Sequence, residues 1–208
     1  MNLSPSNSSY VIDFENAKWM SCPRNVSIEY PGLAYICPLE TIVVAERIDA
    51  LHKVIGINGV GYTIFNDSGQ KVFLAVQKRR CKKFKIKIFN YYGNEVMIIK
   101  KPFKFCLNSV LVWAPPGNFV GSVNKLRRCK NTFLVKNTTG KPVLKIRAQD
   151  NCNLVYDIFS EDEKVGMLTS TWQILSVRTF AITFPVDMEF GNKAMLLGAS
   201  FLLDALKC

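Results

Sequence analysis

Alternation of apolar and polar positions dominates the middle of the chain. In Phe84-Lys-Ile-Lys-Ile88 every second residue is apolar and the two between are basic, and Leu144 and Ile146 alternate with Lys145 and Arg147 in the same way. A period of two marks a strand with one buried face and one wet face, here a cationic one. The strands come in repeats. Tyr62-Thr-Ile-Phe-Asn-Asp-Ser-Gly-Gln-Lys-Val72 is followed by Ile86-Lys-Ile-Phe-Asn-Tyr-Tyr-Gly-Asn-Glu-Val96 and later by Phe133-Leu-Val-Lys-Asn-Thr-Thr-Gly-Lys-Pro-Val143. The marking glycines Gly69, Gly93, Gly117 and Gly140 lie 24, 24 and 23 residues apart. A fifth unit over residues 156–167 keeps the register with Glu163 where glycine would stand. Asn opens a turn and Gly supplies positive φ, so the pattern predicts tandem hairpins. Consecutive hairpins form a meander, and a long meander removes its edges by closing into a barrel.

The C-terminus breaks the pattern. Phe180-Ala-Ile-Thr-Phe184 alternates as a last strand and Pro185 stops it. Ala194-Met-Leu-Leu-Gly-Ala-Ser-Phe-Leu-Leu203 is then apolar on every face, which marks a helix in a core or in a bilayer. Ten residues at ~1.5 Å each give roughly 15 Å, short of the ~20 residues a bilayer needs. The expectation is therefore a mainly β protein: a closed barrel of tandem hairpins, with a helix at about residues 193–206 threaded through it. Residues 1–25, polar at the start, are expected to form a flexible tail ahead of a domain over residues 26–208.

Charge changes the functional picture. Net charge is +11, and its distribution matters more than its sum. Between Lys71 and Arg147 there are 19 Lys or Arg against one acid, Glu95, a balance of +18; the remainder has 8 against 15, a balance of −7. Such asymmetry attracts anionic partners. The seven cysteines are odd in number, widely spaced and without a CxxC pair. That argues against a zinc site of usual spacing and reads as reduced thiols in a cytosolic compartment, with the sequons at Asn25 and Asn137 unused. Met1–Tyr10 is too polar for a secretory signal. The one histidine, His52, lies in a mixed polar stretch and is expected at the surface. With one histidine, no phosphate loop and no metal spacing, little is left to build an enzyme.

Several segments, taken in order, resemble the phospholipid scramblase family: Tyr30-Pro-Gly-Leu-Ala-Tyr35, Trp113-Ala-Pro-Pro-Gly117, Val143-Leu-Lys-Ile146, Val165-Gly166 ahead of Trp172, and residues 180–187 leading into Lys193-Ala-Met-Leu-Leu-Gly-Ala-Ser-Phe-Leu-Leu-Asp204. The resemblance runs from about Pro31 to the end. It implies a tubby-like fold, about twelve strands closed around a central C-terminal helix. It also implies calcium-dependent, ATP-independent movement of phospholipids between leaflets, at the cytoplasmic face of a membrane and foremost the plasma membrane. Three features depart from the family pattern. The acidic positions of its calcium segment match Ser176 and Arg178 here, and its glycine matches Ala181; only Asp187 and Glu189 remain as metal ligands, while calcium takes six to eight oxygens. The cysteine run that carries palmitate in the family shrinks to Cys106, with Cys81 a second lipidation candidate, and for Cys106 a buried strand position is the favoured reading. The long Pro-rich N-terminal tail is missing.

Three basic runs stand out: Lys78, Arg79, Arg80, Lys82 and Lys83; Lys100, Lys101 and Lys104; and Lys125, Arg127, Arg128 and Lys130. They fall about 23 residues apart and so recur at like places in successive hairpins, lining up on one end or side of the barrel. Such runs favour an anionic phospholipid surface at about 1 kcal/mol per residue, less after screening. Nucleic acid is the rival partner, with the nucleus as a second compartment, since residues 78–87 also read as a localisation or backbone-binding run. No recognised nucleic-acid motif supports that rival. The functions left are a lipid scramblase, an adaptor that binds anionic lipid, phosphoinositide included, without moving it, and, behind these two, a nucleic-acid-binding protein.

Overall fold

Twelve strands follow one another in chain order around a closed antiparallel barrel. The structure, a computed structural model, describes residues 16–23, 32–56, 59–78, 84–102, 108–126, 131–149, 154–172 and 178–207. The strands are β1 (Thr41–Ala45), β2 (Gly59–Asn66), β3 (Lys71–Lys78), β4 (Lys85–Phe89), β5 (Glu95–Lys100), β6 (Ser109–Trp113), β7 (Phe119–Lys125), β8 (Thr132–Lys136), β9 (Pro142–Ala148), β10 (Val155–Ser160), β11 (Glu163–Trp172) and β12 (Arg178–Thr183). Pairing of β1 with β12, Thr41 opposite Thr183 through Ala45 opposite Thr179, closes the ring. A short helix α1 (Ala50–Ile55) lies between β1 and β2, and α2 (Phe190–Lys207) follows β12. This is the tubby-like arrangement expected from the sequence, with the final helix a few residues longer than residues 193–206.

The repeated turns explain the repeat in the sequence. Asn66, Asn90 and Asn137 open three of them, and each Oδ1 accepts the N–H four residues on, from Gln70, Asn94 and Lys141 at 2.7, 3.0 and 3.0 Å. Gly69, Gly93 and Gly140 sit at φ 73°, 78° and 83°, where a β carbon would be strained. One residue of extra register follows in each hairpin, between Ile64 and Phe65, Ile88 and Phe89, and Val135 and Lys136. A turn of this kind with a left-handed residue and a bulge is a common three-residue hairpin loop. The fifth hairpin differs from the expectation. Ser160 pairs with Glu163, so only Glu161 and Asp162 form the loop, and the positive φ of 55° falls on Glu161. Glu163 is a strand residue because the tighter loop has no room for it.

Inside the ring, α2 is buried from Lys193 to Asp204. Its Ala194, Leu196, Leu197, Phe201 and Leu202 pack with inward residues such as Ile64, Ile86, Ile99, Val112, Val123 and Ile182 in one continuous core. Helix and wall meet closely at glycines: a β carbon on Gly198 would come 2.8 Å from Val112 Cγ2. No helix among the described residues is long and apolar enough to cross a membrane. The outward positions of β4 and β9 are Lys85, Lys87, Lys145 and Arg147. An apolar filled interior and a charged exterior are the reverse of a membrane-spanning barrel.

Within the segment expected as the tail, residues 16–23 are described, and part of this stretch lies along β3. Met20 N–H donates to Lys71 O and Lys71 N–H to Lys18 O, both at 2.8 Å, with Trp19 bridged to Lys71 in parallel. Ala17 packs over Val43, Ala45 and Phe65, which face out of the barrel.

A candidate anionic-surface site at one end of the barrel

In an up-and-down barrel alternate connections fall at the same end. The five short turns that follow β2, β4, β6, β8 and β10, with Pro185–Glu189 leading into α2, define one end. The opposite end carries the last residues of β1, β3, β5, β7, β9 and β11 and the first residues of the strands that follow. Lys78 closes β3 and Lys85 opens β4; Lys100 closes β5; Lys125 closes β7. All three basic runs therefore spring from one end of the barrel. Of the candidate residues, Lys78, Lys100, Lys101 and Lys125 are described. Arg79, Arg80, Lys82, Lys83, Lys104, Arg127, Arg128 and Lys130 lie outside the described residues, as do the lipidation candidates Cys81 and Cys106 and the segment position Ser176.

Three described cations at this end, Lys100, Lys101 and Lys125, differ from Lys71, Lys87 and Lys164. Lys71 pairs with Asp49 at 2.6 Å, Lys164 with Asp157 at 2.6 Å, and Lys87 with Glu95. Among the described residues no carboxylate lies within ion-pair distance of Lys100, Lys101 or Lys125. Lys100 Nζ instead sits 5.0 Å above the Trp113 ring and Lys125 Nζ 6.0 Å from the Phe133 ring, so the charges are steadied without being neutralised. Lys85 stands opposite Lys100 across the β4–β5 ladder, an arrangement of like charge that raises the local potential at a cost to the sheet. The turn end has the other sign, with Asp67, Glu161, Asp162, Asp187 and Glu189 exposed against Lys141 and Lys164. The barrel is thus polar along its axis.

The calcium residues do not come together. Asp187 and Glu189 are exposed at the turn end, whereas Arg178 starts β12 at the other. The six residues of the strand, roughly 20 Å at ~3.3 Å each, separate them. Arg178 is itself committed to two carboxylates, Asp204 at 3.7 Å and Glu46 at 3.9 Å. No group of three or more His, Cys, Asp or Glu gathers to hold a metal among the described residues. These residues do not fit calcium. Near Arg178, the Tyr62 hydroxyl donates to Gln77 Oε1 at 3.0 Å and Asp204 Oδ2 at 3.4 Å. Burial, with Asp204 beside it, pushes that hydroxyl far above the ordinary tyrosine range, so it stays a proton donor that ties the end of α2 to β2.

His52, expected at the surface, is fully buried. Helix α1 folds back over the outside of β2 and β3, and Gly61 leaves the space: a β carbon there would come 3.3 Å from the imidazole. His52 Nδ1 accepts from Asp49 N–H at 2.8 Å, so the proton sits on Nε2, which faces Tyr62 O at 3.1 Å and Ala75 O at 3.2 Å. With Asp49 Oδ1 accepting from Leu51 N–H, the two side chains form a reciprocal cap. An Asp-x-x-His cap lacks the usual Glu or Gln at its third position, which is why α1 escaped the sequence reading. Burial holds the imidazole below its ordinary value of 6.5, against the opposing pull of the Ala75 carbonyl and Asp49. Protonation would set a second N–H against that of Asp49. A depressed pKa means that the stability His52 contributes is complete above pH ~6.5 and is lost as pH falls through the folded value. The melting temperature is expected to hold from pH 8 to about 6.5 and fall below it, and His52→Gln to remove that step; a flat wild-type profile to pH 5 would refute this.

The sequence itself decides the kinship. The Scramblase family matches residues 20–207. The chain belongs to that family. Similar members include phospholipid scramblase 1 of Rattus norvegicus, 30% identical over 217 residues, covering 89% of this chain and 65% of the relative. Phospholipid scramblase 2 of Homo sapiens is 28% identical, covering 91% of this chain and 74% of the relative. Against the mouse and rat scramblase 1 relatives the chain spans 66% and 65% of their length, just under two thirds. Among solved structures, an Arabidopsis thaliana protein aligns with TM-score 0.53 at 11% identity, over 82% of this chain and 93% of that one, which speaks to fold alone.

Proposed function

We propose that this scramblase-family chain works at the cytoplasmic face of an anionic membrane, the plasma membrane foremost, and promotes ATP-independent movement of phospholipid between leaflets without a catalytic reaction and without calcium at the segment around Arg178. The observation that carries the reading is that the described residues bounding the three basic runs stand at one barrel end, where Lys100, Lys101 and Lys125 have no carboxylate partner among the described residues. Anionic headgroups supply the missing counter-charge. Co-sedimentation with vesicles containing phosphatidylserine tests it. Binding is expected to fall with salt, to be indifferent to calcium, and to weaken about a hundredfold when Arg79, Arg80, Arg127 and Arg128 are neutralised together. Binding in neutral vesicles as strong as in anionic ones would defeat the proposal, and preferential binding to nucleic acid would favour the rival partner.

The second reading, an anionic-lipid adaptor without transport, is favoured by the depleted calcium segment and by α2, which is enclosed and offers no lipid path. Movement of labelled lipid in liposomes separates the two: rates equal to empty liposomes, with binding intact, select the adaptor.

A further inference from the structure

Helix α1 leaves an apolar side chain in solvent. His52 faces the barrel and is fully buried, whereas Val54 is 84% exposed and Ile48, just before the cap, is 59% exposed. A helix on a wet surface turns its apolar residues inward, and Val54 departs from that pattern. The orientation is held firmly. The cap at Asp49, the Asp49–Lys71 ion pair and the imidazole contacts to Tyr62 O and Ala75 O fix which side faces out. Ile48 lies against Gly61, close to the start of β2, and Gly59 at that start is paired with Lys78, the first residue of the first basic run. Lys53 beside Val54 is exposed too. Apolar side chains presented rigidly beside cations match the layered chemistry of an anionic bilayer, whose charged headgroups overlie hydrocarbon.

We propose that α1 is a membrane-insertion element: Val54 and Ile48 enter the acyl boundary of an anionic leaflet while Lys53 stays among the headgroups. This rests on the membrane-surface reading above and adds an apolar component to it. Electrostatic contact alone is removed by salt; an inserted ridge leaves binding that salt does not remove.

The test is co-sedimentation of the full chain with vesicles of phosphatidylcholine and phosphatidylserine at low and high salt. Val54→Ser is expected to weaken binding about tenfold, the worth of one buried valine side chain, and to remove most of what persists at high salt. Ile48→Ser should act in the same direction. Because Val54 is exposed, the melting temperature of its variant should match the wild type. As an independent readout, Val54→Trp should show quenching by lipids brominated along the acyl chain, in excess of the wild-type signal from Trp19, Trp113 and Trp172. Serine variants that bind as well as wild type, with no added quenching, would overturn insertion while leaving the electrostatic surface intact. Failure of wild type itself to bind would overturn the membrane reading, and this proposal with it.

Discussion

Replacing Lys193 with methionine is expected to cost about 3 kcal/mol or more and to lower the melting temperature by roughly 6–12 °C, at ~2–4 °C per kcal/mol for a chain of this size. Lys193 is wholly buried at the head of α2. Its ammonium donates to Cys37 O, Leu39 O and Val186 O at 2.8, 2.9 and 2.8 Å, using all three of its protons, and lies 5.1 Å from the Phe184 ring. Burial pulls its pKa down, with the thiol of Cys37 and the carboxylates of Asp187 and Glu40 pulling the other way. Methionine keeps the length and the packing of the stem and removes only the donors. Three carbonyls from two separate segments then lose their common partner, at about 1 kcal/mol or more each. Thermal unfolding followed by circular dichroism measures it. A shift under 2 °C would mean that water or a rearranged loop replaces the ammonium.

That lysine also marks how far the sequence could be read. The strands were legible because a half-buried sheet forces a period of two, and the hairpins because an Asn-x-x-Gly turn needs those residue types at that spacing. The central helix was legible because ten apolar residues fit nothing but a core of the right length. Lys193 stood at the head of that run in plain view. A cation at the edge of an apolar stretch reads as its solvated end, and nothing local reveals that three carbonyls converge on it from residues 37, 39 and 186. His52 escaped for the same reason: its partners Tyr62 and Ala75 are 10 and 23 residues away. In β1, all of Thr41–Ala45 is buried, because α2 fills one side while Ala17 helps cover the other. A strand covered on both faces loses its alternation, so periodicity could not find it. The basic end was legible as a repeat of runs. The apolar ridge beside it was not, since Val54 has no mark in the sequence that separates an outward valine from an inward one.

Gly121→Ala is the second substitution expected to act strongly, costing about 3 kcal/mol, the upper part of the range for an overpacked core. Gly121 lies on β7 opposite Val112, and a β carbon there would overlap both Lys136 O on β8 and Met195 Sδ on α2. The methionine sulfur can swing aside, but the carbonyl belongs to the β7–β8 ladder and moves only if the strands part. The melting temperature is expected to fall by roughly 6–12 °C, and Met195→Ala in the same chain should restore little of it, because the wall and not the helix sets the clash. Full rescue by Met195→Ala would instead show that the helix is the tighter contact. The consequence reaches the function. A helix locked by Lys193 at one end, by Tyr62 and Arg178 at Asp204 at the other, and by glycine-lined contact between them is a permanent part of the wall's support. It cannot leave for the bilayer without dismantling the barrel. Under the proposed reading the chain acts on lipid from outside, through the basic end and the exposed residues Ile48 and Val54, so neutralising the basic runs or replacing those two should change membrane binding while leaving the melting temperature alone, and variants at Lys193 or Gly121 should do the opposite.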